Sequence, residues 1–106
     1  MQIYEIGYYA RADGNRPVLE YIKSKSLEDK GRIERKICRL IREGPFLHMP
    51  CAKKIGKIYE LRPEGMRLFY YFKGPAAIFV HAVDKKDFTQ ADIVLSGKRR
   101  KELENK

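Results

Sequence analysis

Four basic side chains and one carboxylate in the second half of the chain could bind a phosphate group and transfer a proton. The carboxylate is Glu60. Arginine carries a permanent charge on a planar fork that binds phosphate oxygens in pairs, and donors held around a developing charge lower a reaction barrier. The basic residues are Arg62, Arg67, Lys85 and Lys86. We therefore predict a site that stabilises negative charge on phosphate.

Proton transfer at such a site has several candidates. Glu60 could accept a proton, or it could pair with a neighbouring arginine and only orient it. His81 is a candidate because histidine can both accept and donate a proton, but a single histidine in an apolar strand is more often a packed residue. Repulsion between the adjacent Lys85 and Lys86 would favour proton donation by one of them, and plain contact with phosphate or with a partner protein is the alternative.

Residues near this group could hold an extended polyanion. Lysines in the segment 46–57 would contact backbone phosphates, with an affinity that falls as salt is added. Aromatic side chains on the same sheet face could stack on unpaired bases, although packing in the core is the alternative. The candidate binding residues are Lys53, Lys54, Lys57, Tyr71 and Lys73.

The elements that must position these residues are three consecutive strands. Runs rich in Tyr, Phe, Val and Ile occupy 58–62, 66–73 and 76–83, and turn residues separate them at 63–65 and 74–75. The runs have strand length and the connections suit hairpins, so the pattern predicts an antiparallel meander.

Alternation along the middle strand predicts two different faces. One face is apolar and carries Leu68, Tyr70 and Phe72. The other mixes aromatic and basic side chains, namely Arg67, Phe69, Tyr71 and Lys73. We expect the mixed face to carry function.

The rest of the chain predicts one more strand and three helices. In order, we expect a strand at 2–11, a helix at 17–25, a helix from Ser26 to Gly44-Pro45, a loop at 46–57, the three strands, and a helix starting near Thr89. We expect the basic run 98–101 to be exposed. The fold class is α+β, in the order β-α-α-β-β-β-α: an antiparallel sheet with the N-terminal helical pair packed on one face, and a C-terminal helix.

Composition limits the class of protein. With 106 residues the chain predicts a single domain, residues 1–106, and its net charge of +9 suggests a polyanionic partner, either nucleic acid or an acidic protein. Four arginines of the second helix, Arg32, Arg35, Arg39 and Arg42, form either a solvated face or part of such a contact.

Location and cofactors follow from what the sequence lacks. No membrane span or signal peptide is visible, and Cys38 and Cys51 are expected to be reduced thiols, so we expect a cytoplasmic protein. His48 and His81 add no convincing ligand spacing to the cysteines, so neither a metal nor a cofactor is expected.

Three groups of residues, in order and spacing, resemble the HigB-type branch of the RelE/ParE toxin superfamily. They are Tyr8-Tyr9 with Gly14–Ile22, Lys54 with Ile58–Arg62 and Arg67–Tyr70, and His81 with Lys85-Lys86. Arg67 and Lys86 match positions where RelE has basic residues. The chain departs from RelE at Ile58 and Glu60, which replace a lysine pair, at Asp92, which replaces a functional tyrosine, and at 87–89, which replace Lys-Thr-Pro.

The resemblance implies a microbial-ribonuclease-like fold and the toxin of a type II toxin–antitoxin system. It implies a ribosome-dependent, metal-free mRNA endonuclease that inhibits translation, with a cognate antitoxin, the ribosome and mRNA as partners, and with toxin and antitoxin able to form higher-order complexes. Two alternatives remain. ParE-like relatives inhibit DNA gyrase without nuclease activity, and a basic RNA-binding module would not be toxic at all.

Overall fold

Five strands and three α-helices form the domain in the computed structural model, which describes residues 3–105. In chain order they are β1 (Glu5–Tyr8), α1 (Pro17–Lys23), α2 (Leu27–Glu43), β2 (Ala52–Ile55), β3 (Ile58–Leu61), β4 (Met66–Lys73), β5 (Ala76–Asp84) and α3 (Gln90–Glu104). The α+β class and the three-strand meander are confirmed. The predicted first strand is shorter than expected, and Gln2 at its start lies outside the described residues.

The sheet has the strand order β1-β5-β4-β3-β2, and two of its features differ from the prediction. Strand β1 pairs with β5 in parallel, whereas the other neighbours are antiparallel. Strand β2 forms inside the segment expected to be a loop, with Lys53 opposite Glu60. Its four residues carry two adjacent exposed lysines, so no apolar alternation marks it, and lysines are common on such edge strands.

The first apolar core lies between the helical pair and one sheet face. Val18 of α1 and Ile33 and Leu40 of α2 pack in one buried cluster with the predicted apolar face, which includes Leu68 and Tyr70. Helix α2 begins as predicted, because the Asp29 N–H donates to the Ser26 hydroxyl at 3.1 Å. Since the inward residues of α2 recur every three to four positions, its basic residues lie toward the outside.

Helix α2 ends at a glycine that no other residue could replace without strain. Gly44 has a φ of 53°, and a Cβ added there would lie 2.2 Å from Cε1 of Tyr4. The Tyr4 N–H donates to the Ile41 carbonyl at 2.9 Å, which holds the tyrosine over the end of the helix. Close approach and positive φ therefore both require glycine here.

The opposite sheet face is covered by α3. Phe69, Tyr71 and Val80 form a second cluster, against which Ile93 and Leu103 pack. The helices therefore cover both faces of the sheet.

The expectation that residues 98–101 are exposed is wrong for two of the four. Arg99 and Arg100 are 8% and 7% exposed. Arg99 Nη1 donates to the Val80 carbonyl at 2.8 Å, and its guanidinium lies 4.9 Å from the centre of the Tyr9 ring. A long aliphatic stem lets arginine cover apolar surface while its head group finds acceptors, so a basic run can belong to a packed interface.

The two cysteines differ in their exposure. Cys38 is exposed, Cys51 is buried, and both are free thiols. Among residues 3–105, no helix combines the length and the apolar character that crossing a bilayer requires.

Candidate active site

A cleft of about 400 Å³ opens on the sheet face that α3 covers, next to the first turn of that helix. The residues that line it come from β2, β3, β4, α3 and the segments that follow β3 and β5. They are Lys53, Lys54, Ile55, Glu60, Arg62, Arg67, Lys85, Phe88 and Ile93. The charged part of the lining is thus one carboxylate and five basic side chains, and all six were candidates from the sequence.

Strand register explains how distant residues meet in this cleft. Lys53 of β2 lies opposite Glu60 of β3, Glu60 lies opposite Phe69 of β4, and Phe69 lies opposite His81 of β5. Because residues in one cross-strand row point to the same side of a sheet, this row puts Glu60 on the face that carries α3. The prediction that the mixed face carries the charged group is consistent with this geometry.

Glu60 is the centre of a charge cluster. It is 4% exposed, and its Oε1 lies 3.3 Å from Nε of Arg62 and 3.7 Å from Nε of Arg67. One oxygen therefore orients both guanidinium groups, as the pairing alternative anticipated. Oε1 is thus the carboxylate oxygen through which both arginines pair with Glu60.

Arg67 is held by the backbone as well as by Glu60. It is 6% exposed, and its Nη1 donates to the Met66 carbonyl at 2.7 Å and to the Pro63 carbonyl at 3.4 Å. Burial lowers the pKa of Arg67, the charge of Arg62 lowers it further, and Glu60 opposes both. Arginine still remains protonated in proteins, so the cleft keeps a fixed positive charge at its floor.

The rim of the cleft is more exposed than its floor. Lys53 and Lys54 are exposed on edge strand β2, and Lys85 is exposed at the end of β5. The Lys85 N–H donates to the Gly65 carbonyl at 2.9 Å, which ties this residue to the β3–β4 turn. The rim lysines are therefore exposed, whereas Arg62 is half-buried and Arg67 is buried.

Four candidates lie away from the cleft. Lys86 lines a separate cavity that Lys25 and Asp84 also line. Lys57 and Tyr71 line a shallow groove near the end of α3. Lys73 Nζ donates to the Leu103 carbonyl at 3.4 Å.

The expectation that Tyr71 stacks on bases is wrong. Tyr71 is 1% exposed and its neighbour on the same face, Phe69, is fully buried. Both side chains belong to the core beneath α3, so packing, the alternative considered for them, describes their surroundings. Base stacking requires an accessible ring face, and neither ring offers one.

His81 connects the sheet to the start of α3. Its Nε2–H donates to Asp92 Oδ1 at 2.7 Å, and its ring stacks on Phe69 with centroids 5.9 Å apart. The Thr89 N–H donates to the other oxygen, Asp92 Oδ2, at 2.8 Å. Burial acts to raise the pKa of Asp92, but the hydrogen bonds from Thr89 and His81 outweigh it and the net shift is downward. His81 is therefore a packed, paired residue that fixes α3 beside the cleft.

The sequence did not identify the apolar wall of the cleft. Phe88 and Ile93 line it on the side of α3, and Phe88 packs against Phe69 with centroids 5.7 Å apart. The sequence signal available was the helix start at Thr89, which puts the residues on either side of it close to the sheet. That signal does not fix the path of the chain between β5 and the helix, so it does not locate the apolar wall.

The geometry around the acidic and sulfur-containing residues gives no cluster suited to a metal. Among residues 3–105, no three His, Cys, Asp or Glu side chains come close enough together to ligate one ion. The charged side chains of the cleft lining are one carboxylate and five basic groups.

Comparison with protein families identifies the family of this chain. Residues 20–101 match the model of a family described as phage-derived protein Gp49-like (DUF891). The chain belongs to this family. The matched range runs from α1 into α3 and contains every charged residue of the cleft. A search of curated proteins found no match to the chain.

The Gp49-like family is a toxin-like family of the RelE/HigB type and is associated with toxin–antitoxin systems. Membership therefore implies a cognate antitoxin as a partner.

Proposed function

We propose that the protein is the toxin of a type II toxin–antitoxin system and cleaves mRNA on the ribosome without a metal ion. The observation that carries the proposal is the Glu60 carboxylate held between Arg62 and Arg67 at the floor of a basic cleft. Membership of a toxin-like family of the RelE/HigB type supports it independently.

The reaction we propose is an internal transesterification of RNA. The 2′-oxygen attacks the adjacent phosphorus, and the bond from phosphorus to the 5′-oxygen breaks. The products are a 2′,3′-cyclic phosphate and a new 5′-hydroxyl. Negative charge on the phosphate oxygens rises in the transition state, and Arg62 and Arg67 stabilise it there. Fixed donors of this kind are worth about 3 kcal/mol each in a water-poor site.

Two protons must move in this reaction. Glu60 takes the proton of the 2′-hydroxyl on Oε2, while Oε1 stays between the two arginines. Lys85 on the rim gives a proton to the leaving 5′-oxygen. Such general acid–base steps typically contribute about 10²–10⁴-fold each.

Binding in this proposal depends on phosphates more than on base stacking. Lys53 and Lys54 hold the RNA backbone at the rim. Phe69 and Tyr71 are buried, and the cleft lining includes one aromatic side chain, Phe88. Base recognition in the cleft is therefore limited, and in this proposal the ribosome presents the strand and sets the position of the cut. Dependence on the ribosome is thus consistent with a site that supplies charge but little base recognition.

The experiment is a translation reaction with purified ribosomes in which mRNA breaks are mapped by primer extension. Cuts at defined positions that disappear when ribosomes are omitted are the expected result. A parallel reaction measures supercoiling by purified DNA gyrase. Intact mRNA together with inhibited supercoiling would replace the nuclease proposal with the gyrase alternative.

A further inference from the structure

A second basic surface lies on the other side of the sheet edge, along the outer side of α2. It is a groove of about 480 Å³ between α2 and the residues Pro50, Arg62 and Glu64. We call it the α2 groove, and its lining residues are Arg32, Arg35, Lys36, Arg39, Pro50, Arg62 and Glu64. Five of the seven are basic and one is acidic.

The cations of the α2 groove differ in how far they are already neutralised. Arg32 pairs with Asp29 at 2.9 Å, and Arg39 pairs with Glu43 at 2.9 Å. Arg35 and Lys36 make no ion pair with any carboxylate of residues 3–105. These two side chains therefore keep a charge that an incoming anion could neutralise.

Cys51 connects the α2 groove to the cleft. Its Sγ accepts hydrogen bonds from Lys36 Nζ at 3.3 Å and from Arg39 Nη1 at 2.8 Å. Its carbonyl accepts from the Arg62 N–H at 2.8 Å. Arg62 lines both the α2 groove and the cleft. A continuous run of positive charge thus leads from α2 through Arg62 to the cleft floor.

We propose that the α2 groove is a second phosphate-binding surface. It binds the nucleotides that flank those in the cleft, on the same single-stranded RNA. This inference rests on the proposed function for the choice of RNA as the ligand. Continuity through Arg62 favours one strand that occupies both surfaces over an acidic protein that occupies only one.

The spacing along α2 suits this ligand. The basic residues of α2 in the groove extend from Arg32 to Arg39, with the unpaired Arg35 and Lys36 between them, and at 1.5 Å per residue the two ends lie about 10 Å apart along the helix axis. At about 3.4 Å per stacked nucleotide, that length covers about three phosphates of one strand. The groove therefore predicts an RNA footprint several nucleotides longer than the cleft alone would give.

The test is a binding assay that does not depend on cleavage. The probes are labelled 2′-O-methyl oligonucleotides of 4 and 12 nucleotides, which lack the nucleophilic hydroxyl, and binding is read by fluorescence anisotropy. The variant is Arg35→Glu/Lys36→Glu. Lys98→Glu/Lys101→Glu is the matched control, because it makes the same charge change at exposed positions of α3 on the opposite side of the sheet.

We expect wild-type protein and the control to bind the 12-mer at least about tenfold more tightly than the 4-mer at low salt. In the groove variant this gain is lost, and the slope of log affinity against log salt falls by about 0.7 for each phosphate contact removed. Circular dichroism checks that all three proteins are folded.

Two results would overturn the inference. One is a wild-type protein that gains nothing from the longer probe. The other is a groove variant that still binds the 12-mer as much more tightly than the 4-mer as the wild type does. If such a variant loses only the binding of an acidic antitoxin peptide, the groove binds the antitoxin and not RNA. Neither result bears on ribosomal cleavage, which is measured separately, so failure here is distinguishable from failure of the nuclease proposal.

Discussion

At the scale of single residues, the chemistry depends on how Glu60 is shared. Both guanidinium groups pair with the same carboxylate oxygen, Oε1, at 3.3 Å from Nε of Arg62 and 3.7 Å from Nε of Arg67. A carboxylate in this position orients the arginines through one oxygen and can accept a proton on the other. The base and pairing alternatives considered from the sequence are therefore compatible with each other.

Lys85 and Lys86 offer a direct test of which lysine serves the cleft. Lys85→Ala should lower the rate of mRNA cleavage by about 100-fold or more, because it removes the proton donor to the leaving 5′-oxygen. Lys86→Ala should lower it less, since Lys86 lines a different cavity. Cleavage rates of the two purified variants on ribosomes provide the comparison. A larger loss for Lys86→Ala would move the site toward the cavity shared with Lys25.

At the scale of secondary-structure elements, contacts between distant segments fix the ends of the helices. Gly44 ends α2 and leaves room for Tyr4, while Asp84 at the end of β5 accepts from the Tyr21 hydroxyl at 2.6 Å and pairs with Lys25. These contacts join α1 and α2 to the sheet, and the sheet in turn positions the cleft.

Gly44→Ala should lower the free energy of unfolding by more than the backbone strain of a positive φ alone would. Strain in this region costs about 1–3 kcal/mol, and displacing Tyr4 adds to it. Gly14→Ala is the matched control, because Gly14 has a φ of 89° with nothing within 4 Å of an added Cβ. Urea unfolding of both variants gives the two free energies. Equal losses would mean that the contact with Tyr4 contributes nothing.

The hydrogen-bonded Asp84 carboxylate should make the fold less stable at acidic pH. Its hydrogen bond from Lys25 lowers the pKa of this carboxyl, the bond from Tyr21 lowers it further, and burial opposes both. A folded-state pKa below the unfolded value of about 3.9 stabilises the fold above that pH, and the contribution disappears as pH falls through the folded pKa.

Thermal unfolding measured from pH 6 down to pH 2.5 should therefore show a smaller fall in melting temperature for Asp84→Asn than for the wild type. Asp13→Asn, at an exposed turn residue, is the control. If Asp84→Asn and the wild type lose stability in parallel, Asp84 is not the group responsible.

The sequence predicted those elements whose signals are local. Alternation located β3 to β5, and Ser26 and Gly44 located the ends of α2. The parallel pairing of β1 with β5 was not predictable in this way, because it joins segments about 70 residues apart. Burial of Tyr71 and Arg99 depends on where α3 docks, and the few apolar residues of that helix, such as Ile93 and Leu103, gave too weak a pattern to reveal it.

The candidate site was predictable in type and only partly in position. Strand alternation brought Glu60, Arg62 and Arg67 to one face, where the structure also has them. It could not separate Lys85 from Lys86, because both lie in a short helical turn after β5 that the sequence did not predict, and of the two the cleft lining includes only Lys85. Nor could it connect Cys51 to α2, since that contact arises from tertiary packing.

At the scale of the whole molecule, a net charge of +9 is distributed unevenly. Basic side chains line the cleft and the α2 groove, and Arg62 belongs to both. Such a surface attracts RNA at a rate that depends on ionic strength. The same surface would suit an acidic segment of the cognate antitoxin that the family implies.

The most direct test of the account compares wild-type protein, Glu60→Gln and Glu34→Gln in the purified ribosome reaction. Glu34→Gln is the matched control, because it makes the same change of side chain at an exposed position of α2. We predict ribosome-dependent cuts by the wild type and Glu34→Gln, and cleavage at least about 100-fold slower by Glu60→Gln, because the proton acceptor is lost. Cleavage by Glu60→Gln at the wild-type rate would contradict the proposed mechanism, and mRNA left intact by the wild-type protein would contradict the proposed function.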